Sequence, residues 1–408
     1  MRTPIGTRLL VTLALATVGC GGAPARTPPP PDPAAACEGG DATACVELGH
    51  AYETGHDVAL DDARAIALYR QACDAGEGRG CTALGARYYG GRGVEHDGAQ
   101  AISLFSQGCE GRDPFGCYNL AILLSRPTDG GAGDPVRARA LFTEGCDGPV
   151  VAACNNLGMM YEAGLGGDTD AAAAHGFFVR GCNAGHSGAC YNLAVQLDRG
   201  VGTDADPARA AEVFEASCAA GLGESCARFG ALLEEGRGVT QDYARAQAIY
   251  AATCSDGHAA ACVNLGGLYA SGHGVTQDLG RARELYVSTC GESVQVGCEA
   301  LGRLDENAED YPAAFASYQR GCSDGQLGAC VALGSLHSTG RGVDQDHARA
   351  AELFESACRA GSAGGCFNLA ASFASGTGVT RDRNRARALF TQACALGEQR
   401  ACQIVGAQ

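Results

Sequence analysis

Lysine is absent: all 30 basic residues among the 408 are arginine. Tryptophan is absent too, and charged residues make up only 19% of the chain. Without lysine there is no S-x-x-K serine-hydrolase motif and no G-x-x-x-x-G-K-[ST] phosphate loop. The formal net charge is −16 and no basic stripe interrupts it. Such a surface repels a phosphate backbone, so nucleic-acid binding is not expected. No C-x-x-C occurs, which argues against a redox switch. The nine histidines stand at 50, 56, 96, 175, 186, 258, 273, 337 and 347. They are scattered, and no carboxylate–histidine cluster accompanies His50 and His56. They read as single loop or surface residues, so no metal, cofactor or catalytic residue is expected. No stretch has eighteen consecutive apolar residues, so no membrane-spanning helix is expected.

Cysteine and glycine are abundant instead, at 23 and 61 residues. After Cys20 the cysteines form a series of pairs: Cys37 and Cys45, Cys73 and Cys81, Cys109 and Cys117, Cys146 and Cys154, Cys182 and Cys190, Cys218 and Cys226, Cys254 and Cys262, Cys290 and Cys298, Cys322 and Cys330, Cys358 and Cys366, and Cys394 and Cys402. Each pair is eight positions apart, and the second cysteines recur every 36 positions with one interval of 37 and one of 32. Such a period marks a solenoid of about ten helix-pair units, an all-α superhelix.

Each unit reads as two helices. In "CVNLGGLYASGHGV" (262–275), Leu265, Leu268 and Tyr269 share one helical face, Gly266 leaves room for a neighbour, and "SGHG" breaks the helix. Sixteen positions after the second cysteine, Asp61, Asp97, Asp170, Asp206, Asp242, Asp278, Asp346 and Asp382 are placed to cap the second helix. Four positions before each following first cysteine stands an aromatic ring: Tyr69, Phe105, Phe142, Phe178, Phe214, Tyr250, Tyr286, Tyr318, Phe354 and Phe390. A ring at one register in every unit is core.

The pairs read as structural disulfides, each stapling one unit to the next. The first cysteine ends a second helix, and the second cysteine starts the next unit's first helix. Gly76 and its counterparts at 185, 221, 257, 325, 361 and 397 supply the left-handed residue that ends the helix. Pairing Cys45 with Cys73 instead would close each hairpin, but it orphans Cys37 and Cys402. The unit that begins at Cys298 loses four residues from its interior while the eight-residue spacing survives, which favours the local pair. Seven intervening residues do not match a zinc site.

The N-terminus differs from the array. "MRTPIGTRLLVTLALATVGC" has two arginines, an apolar run and a small residue before Cys20, the composition of a signal peptide over residues 1–19. Its end resembles a bacterial lipobox, with Thr17 where leucine is more usual; the resemblance implies cleavage before Cys20 and a lipid on Cys20. Ordinary secretion is the alternative. Residues 20–36 then form a Pro-rich extended tether, and residues 37–408 the solenoid. Disulfides and an export signal agree on an oxidising compartment.

The repeats resemble Sel-1-like repeats, relatives of the tetratricopeptide repeat, and within them the cysteine-rich bacterial secreted group described from Helicobacter. The motif is carried by "CTALGARYYGGRGVEHDGAQAISLFSQGC" (81–109) and "CVNLGGLYASGHGVTQDLGRARELYVSTC" (262–290). Three units depart from it. "LLSRPTDGGAGDPVRA" carries one extra residue and Pro127, "DTDAAAAHGFF" lacks the usual Arg-Ala, and "LDENAEDYPAAFASY" drops the Gly-x-Gly loop. The resemblance implies a right-handed superhelix acting as a non-catalytic scaffold or adaptor for protein or peptide partners. It also raises a cell-wall or penicillin-binding, β-lactamase-like activity, as attributed to some cysteine-rich relatives; the lack of lysine and of clustered histidines argues against that. Two positions after the second cysteine, half of the units carry asparagine: Asn119, Asn156, Asn192, Asn264 and Asn368. Their amides suit an extended peptide backbone on the concave face. The alternative places them in the first helical turn, satisfying local amides. The expected location is the bacterial envelope, periplasm-facing or at the cell surface.

Overall fold

The computed structural model describes residues 32–126, 131–291 and 296–406. The proposed signal peptide, Cys20 and Pro127 lie outside the described residues. Twenty-two helices follow one another, with no strand among the described residues. They are α1 (Pro33–Glu38), α2 (Ala42–Thr54), α3 (Asp62–Asp74), α4 (Gly78–Gly90), α5 (Gly98–Glu110), α6 (Pro114–Leu124), α7 (Pro135–Asp147), α8 (Val151–Ala163), α9 (Ala171–Asn183), α10 (Ser187–Arg199) and α11 (Pro207–Ala219). The second half comprises α12 (Gly223–Glu235), α13 (Tyr243–Ser255), α14 (Ala259–Ser271), α15 (Leu279–Ser288), α16 (Cys298–Asn307), α17 (Tyr311–Ser323), α18 (Leu327–Thr339), α19 (His347–Arg359), α20 (Ala363–Ser375), α21 (Arg383–Ala395) and α22 (Gln399–Gly406). Helices α2 to α21 form ten hairpins, with α1 and α22 as half-units at the ends. The extended tether expected to run to residue 36 stops earlier: Asp32 accepts from the Ala34 amide and Pro33 opens α1.

The aspartate caps act as the sequence suggests. Asp61, Asp97, Asp170, Asp206, Asp242, Asp278 and Asp346 each accept from the amide three residues on, as do Asp134 and Asp310 in the irregular units. Asp382 takes two amides, from Asn384 and Arg385. Helix starts at the cysteines differ from expectation. Cys81, Cys117, Cys154, Cys190, Cys226, Cys262, Cys330 and Cys366 are each the fourth residue of their helix and not its first. Only Cys298 opens its helix, in the shortened unit.

All eleven eight-residue cysteine pairs are bonded in the structure. Cys37 is joined to Cys45, Cys73 to Cys81, Cys109 to Cys117, Cys146 to Cys154, Cys182 to Cys190 and Cys218 to Cys226. Further along, Cys254 is joined to Cys262, Cys290 to Cys298, Cys322 to Cys330, Cys358 to Cys366 and Cys394 to Cys402. Their Cα–Cα separations run from 4.4 to 4.7 Å. Each bond ties the end of an odd helix, or the residues just after it, to the first turn of the next even helix. The approach is close enough to demand small residues. A Cβ on Gly80 would stand 2.6 Å from the Ala72 Cβ, and one on Gly116 2.8 Å from the Cys109 amide. In the chain-entropy account each closed loop of this length contributes about 2.5 kcal/mol. Eleven disulfides belong to an oxidising, exported setting. Among the described residues no helix is long and apolar enough to cross a membrane.

Within each hairpin the aromatic ring lies on a small residue of the even helix. Tyr69, Phe178, Tyr250 and Tyr318 are buried against Gly49, Gly158, Gly230 and Gly302. Ala121, Ala194 and Ala370 take the glycine's place elsewhere. Phe390, near the open end, is only half-buried. Even-numbered helices of neighbouring units touch one another along most of the array, and no two odd-numbered helices do so comparably. The even helices therefore line the inner, concave side.

Two glycine substitutions separate packing from propensity. At Gly158 an added Cβ would meet the Phe178 ring at 2.5 Å, so Gly158→Ala is expected to destabilise by about 1–3 kcal/mol. Gly176, exposed in α9, has open space around it, so Gly176→Ala is expected to stabilise by about 0.5–1 kcal/mol. Thermal unfolding of the two variants checks the opposite signs.

Candidate interaction surface on the concave face

The clefts between α6 and α8 and between α18 and α20 are lined at positions two, five and nine after the second cysteine, all on even helices. Asn119, Asn156, Asn192, Asn264 and Asn368 are each the sixth residue of their helix, and all are half-buried. The sixth residue lies beyond the first turn, so the local-amide alternative does not apply. Other side chains cap these helices: Asp113 on α6, His186 on α10 and Ser362 on α20. His186 is thus a cap and not a loop histidine. Its Nδ1 accepts from the Ala189 amide at 3.1 Å, and burial pushes its pKa down.

The asparagines bond across the array. Asn156 Nδ2 donates to the Tyr118 hydroxyl at 3.2 Å, and Asn192 Nδ2 donates to Asn155 Oδ1 at 2.9 Å. Two of the five also line clefts. Asn156 faces Ile122, Phe142, Met159 and Met160 around about 300 Å³ between α6 and α8. Asn368 stands with Ser335, Thr339, Ser372 and Ser375 around about 290 Å³ between α18 and α20. At the N-terminal end a cleft of about 500 Å³ is lined by Glu47, His50, Glu53, Tyr69, Arg79 and Phe115. The face is therefore acidic at one end, apolar in the middle and hydroxyl-rich at the other.

A second polar register, eight positions after the second cysteine, escaped the sequence reading. Tyr69 donates to Glu53 at 2.6 Å, Tyr250 to Glu234 at 3.4 Å and Tyr318 to Glu306 at 2.8 Å. The legible signal is that these three units have tyrosine where most others have phenylalanine. Glu162 and Asp198 occupy the same register beside phenylalanines and bind Gln196 and Arg237 instead. Arg87 is buried at 2% exposure between Glu53, at 2.7 Å, and Asp62, at 3.1 Å.

The same register yields opposite charge behaviour. Burial raises the Glu53 carboxyl, but the Tyr69 hydroxyl and the Arg87 guanidinium outweigh it and hold Glu53 below its ordinary value. Burial dominates at Glu234, which has no such cation and is pushed up. All three hydroxyls bonded to these carboxylates are pushed well above the usual tyrosine value by burial and the neighbouring acid. Among the described residues no group of three or more histidine, cysteine or acidic side chains could hold a metal ion.

These shifts set two pH dependences. Glu53, with its folded value lowered, contributes stability that is complete above the unfolded value of about 4.3 and is lost as pH falls through the folded value. The unfolding-midpoint difference between wild type and Glu53→Gln is expected to be largest near neutrality and to shrink as pH falls below the unfolded value and through the folded one. Glu234, with its value raised, costs stability as pH rises through the folded value. Glu234→Gln is therefore expected to match or exceed wild type near neutrality, and to lose that advantage below about pH 4. Melting curves across this range check both; a Glu234→Gln protein less stable at neutral than at acid pH, relative to wild type, would contradict the burial account.

Comparison with known proteins places this architecture. The Sel1 repeat family matches residues 42–77, 78–113, 114–149, 151–186, 187–222, 223–258, 259–289, 328–362 and 363–398. The stretch between 289 and 328, which includes the shortened unit, is not matched. The crystal structure of c5321, a protective antigen of uropathogenic Escherichia coli with an SLR fold, is 24% identical over 92% of this chain and 81% of its own, with a TM-score of 0.60. A Sel1 repeat protein from Oxalobacter formigenes is 20% identical over 92% of this chain and 88% of its own, with a TM-score of 0.39. Helicobacter pylori cysteine-rich protein B is 29% identical over 31% of this chain and 95% of its own, with a TM-score of 0.27. No curated protein sequence matches. Sel1 repeats generally form non-catalytic scaffolds for protein–protein interaction. With nine matched repeats spanning most of its length, the chain belongs to the Sel1 repeat family.

Proposed function

We propose that the chain is a non-catalytic scaffold of the bacterial envelope that holds an extended protein segment along its concave face. A lipid on Cys20 tethers it, and the Pro-rich segment after Cys20 sets the array off the membrane surface. The observation that carries this reading is the asparagine row. These side chains stand past the first helical turn, where their own helices have no unpaired amide for them, on the side where the even helices converge. The bonds made by Asn156 and Asn192 use the amide nitrogen and leave the side-chain oxygen to accept from a peptide N–H. The net charge of −16 and the cleft around Glu47, His50 and Glu53 favour a cationic segment.

Crosslinking in cells followed by mass spectrometry tests the groove. A dominant protein partner is expected with wild type and is expected to be lost when Asn119, Asn156, Asn192, Asn264 and Asn368 are all changed to alanine. Unchanged crosslinks in that variant, or muropeptide adducts alone, would refute the peptide-binding reading. Palmitate labelling is expected to depend on Cys20; labelling that persists in Cys20→Ala would remove the lipid anchor.

A further inference from the structure

One joint of the array lacks a loop that seven others contain. In seven units a Gly-x-Gly loop follows the even helix, and both glycines have left-handed backbones, as at Gly236 and Gly238 or Gly376 and Gly378. The second glycine rests on the start of the preceding unit's odd helix. A Cβ on Gly202, Gly238 or Gly378 would overlap the carbonyl oxygen of Ala171, Pro207 or His347. The valine that usually follows, as at Val239, Val275, Val343 and Val379, packs against the hydrophobic core.

The unit of α16 and α17 has no such loop. Asn307 ends α16, and only Ala308 and Glu309 precede the cap Asp310. The seat that the loop would cover, at the start of α15, stays open. Leu279 is 52% exposed, whereas the residue at its register is buried or half-buried in every other hairpin that another hairpin follows. A cleft of about 460 Å³ results, lined by Leu279, Gly280, Arg283, Leu304, Asn307 and Ala308. It lies at the C-terminal ends of α14 and α16, and none of the five asparagines lines it. The adjoining turn is acidic. Glu309 and Asp310 are exposed and Glu306 half-exposed, while Arg283 is already paired with Asp305 at 2.5 Å.

We propose that this cleft docks a Gly-x-Gly-Val turn with a cationic side chain, carried by a partner protein. The occupant's chemistry follows from the seven filled joints: two left-handed glycines over the helix start in all seven, and a valine over the core in five. The exposed carboxylates of Glu309 and Asp310 on the adjoining turn favour a positive charge, and arginine already stands at x in three of the chain's own loops, at Arg92, Arg237 and Arg341. The chain's own uncovered loop cannot fill the seat of a second copy. That loop, Gly55–Val58, has Asp57 at the second-glycine position, where a side chain would strike the carbonyl.

The probe is the blocked peptide Gly-Arg-Gly-Val-Thr-Gln, the sequence of residues 236–241, with a fluorescent label, titrated into the full chain by anisotropy. Saturable binding is expected at concentrations up to about 1 mM. Three changes are each expected to weaken it by about tenfold or more: alanine for the second glycine of the peptide, Leu279→Asp in the protein, and replacement of Ala308-Glu309 by Gly-Arg-Gly-Val-Thr-Gln, which rebuilds the loop in cis. Circular dichroism verifies that both variants fold, and the loop-restored variant is expected to melt no lower than wild type. Absence of saturable binding overturns the proposal. So does equal binding by the loop-restored protein or by the alanine peptide. Neither result bears on the asparagine groove, which the crosslinking experiment tests separately.

Discussion

Everything periodic in this molecule depends on the eight-residue joint. A disulfide with Cα atoms 4.4 to 4.7 Å apart holds the end of one odd helix against the first turn of the next even helix. That approach tolerates only small residues on both sides, such as Gly145 facing Ala153, Gly181 facing Ala189 and Ala357 facing Gly365. Because the joint is covalent and short, it sets the angle and register of each unit independently of what lies between joints. The loop-to-loop portion can then gain a residue, as before Asp134, or lose four, as before Asp310, without shifting the next ring off its glycine. Tyr318 lies on Gly302 in the shortened unit as Phe178 lies on Gly158 in a full one.

The hairpin framework was legible in the sequence because its determinants are local. The ring lies one helical turn from a cysteine, the aspartate stands at the helix boundary, and the glycine follows the last turn. Helix starts were less legible. Val150, Leu222, His258 and Gln326 precede even helices, and none of them makes a side-chain cap bond. Without Ser, Thr or Asp to mark the boundary, Cys154, Cys226, Cys262 and Cys330 looked like first residues. Counting from the cysteine puts Asn156 and Asn264 in the first turn, whereas Asp113 and Ser362 mark the true starts of the helices that carry Asn119 and Asn368. The tyrosine–glutamate bonds were hidden for another reason. Tyr69 and Glu53 are sixteen residues apart and meet only once the hairpin has closed. Arg87 is similar: its partners Glu53 and Asp62 belong to the preceding unit, so nothing in its own helix announces that it is buried.

Framework and inner face divide the work between them. Cysteines, rings and caps hardly vary along the array, whereas the inner-face positions run from Glu47 and His50 through Met159 and Met160 to Ser372 and Ser375. A partner lying along the groove would meet different chemistry at each step, and specificity would come from the sum of weak, dissimilar contacts. The carboxylates at the eighth position illustrate the economy of the arrangement. At Glu53, Glu234 and Glu306 they satisfy a buried hydroxyl of the frame, at Glu162 an amide and at Asp198 a guanidinium, so one register serves several partners.

The shortened joint shows what the loop does elsewhere. Stability in a solenoid is close to a sum of unit terms and nearest-neighbour interfaces, so a missing interface is not compensated at a distance. Helices α15 and α16 are ten residues long where most are thirteen, and they pack on each other less than any other consecutive pair. The bond between Cys290 and Cys298, the Arg283–Asp305 pair and the Arg320 guanidinium on the Cys290 carbonyl hold that seam together with the apolar contacts of Tyr286, Leu301 and Leu304. Asp305 is 1% exposed, so its pairing with Arg283 is a requirement of burial and not a surface ornament. Where other joints have a core-covering loop, this one has an ion pair between half-exposed Arg283 and buried Asp305, a polar brace in place of apolar closure. The exchange keeps the two halves of the array joined while leaving Leu279 uncovered, which is the condition a docking seat needs.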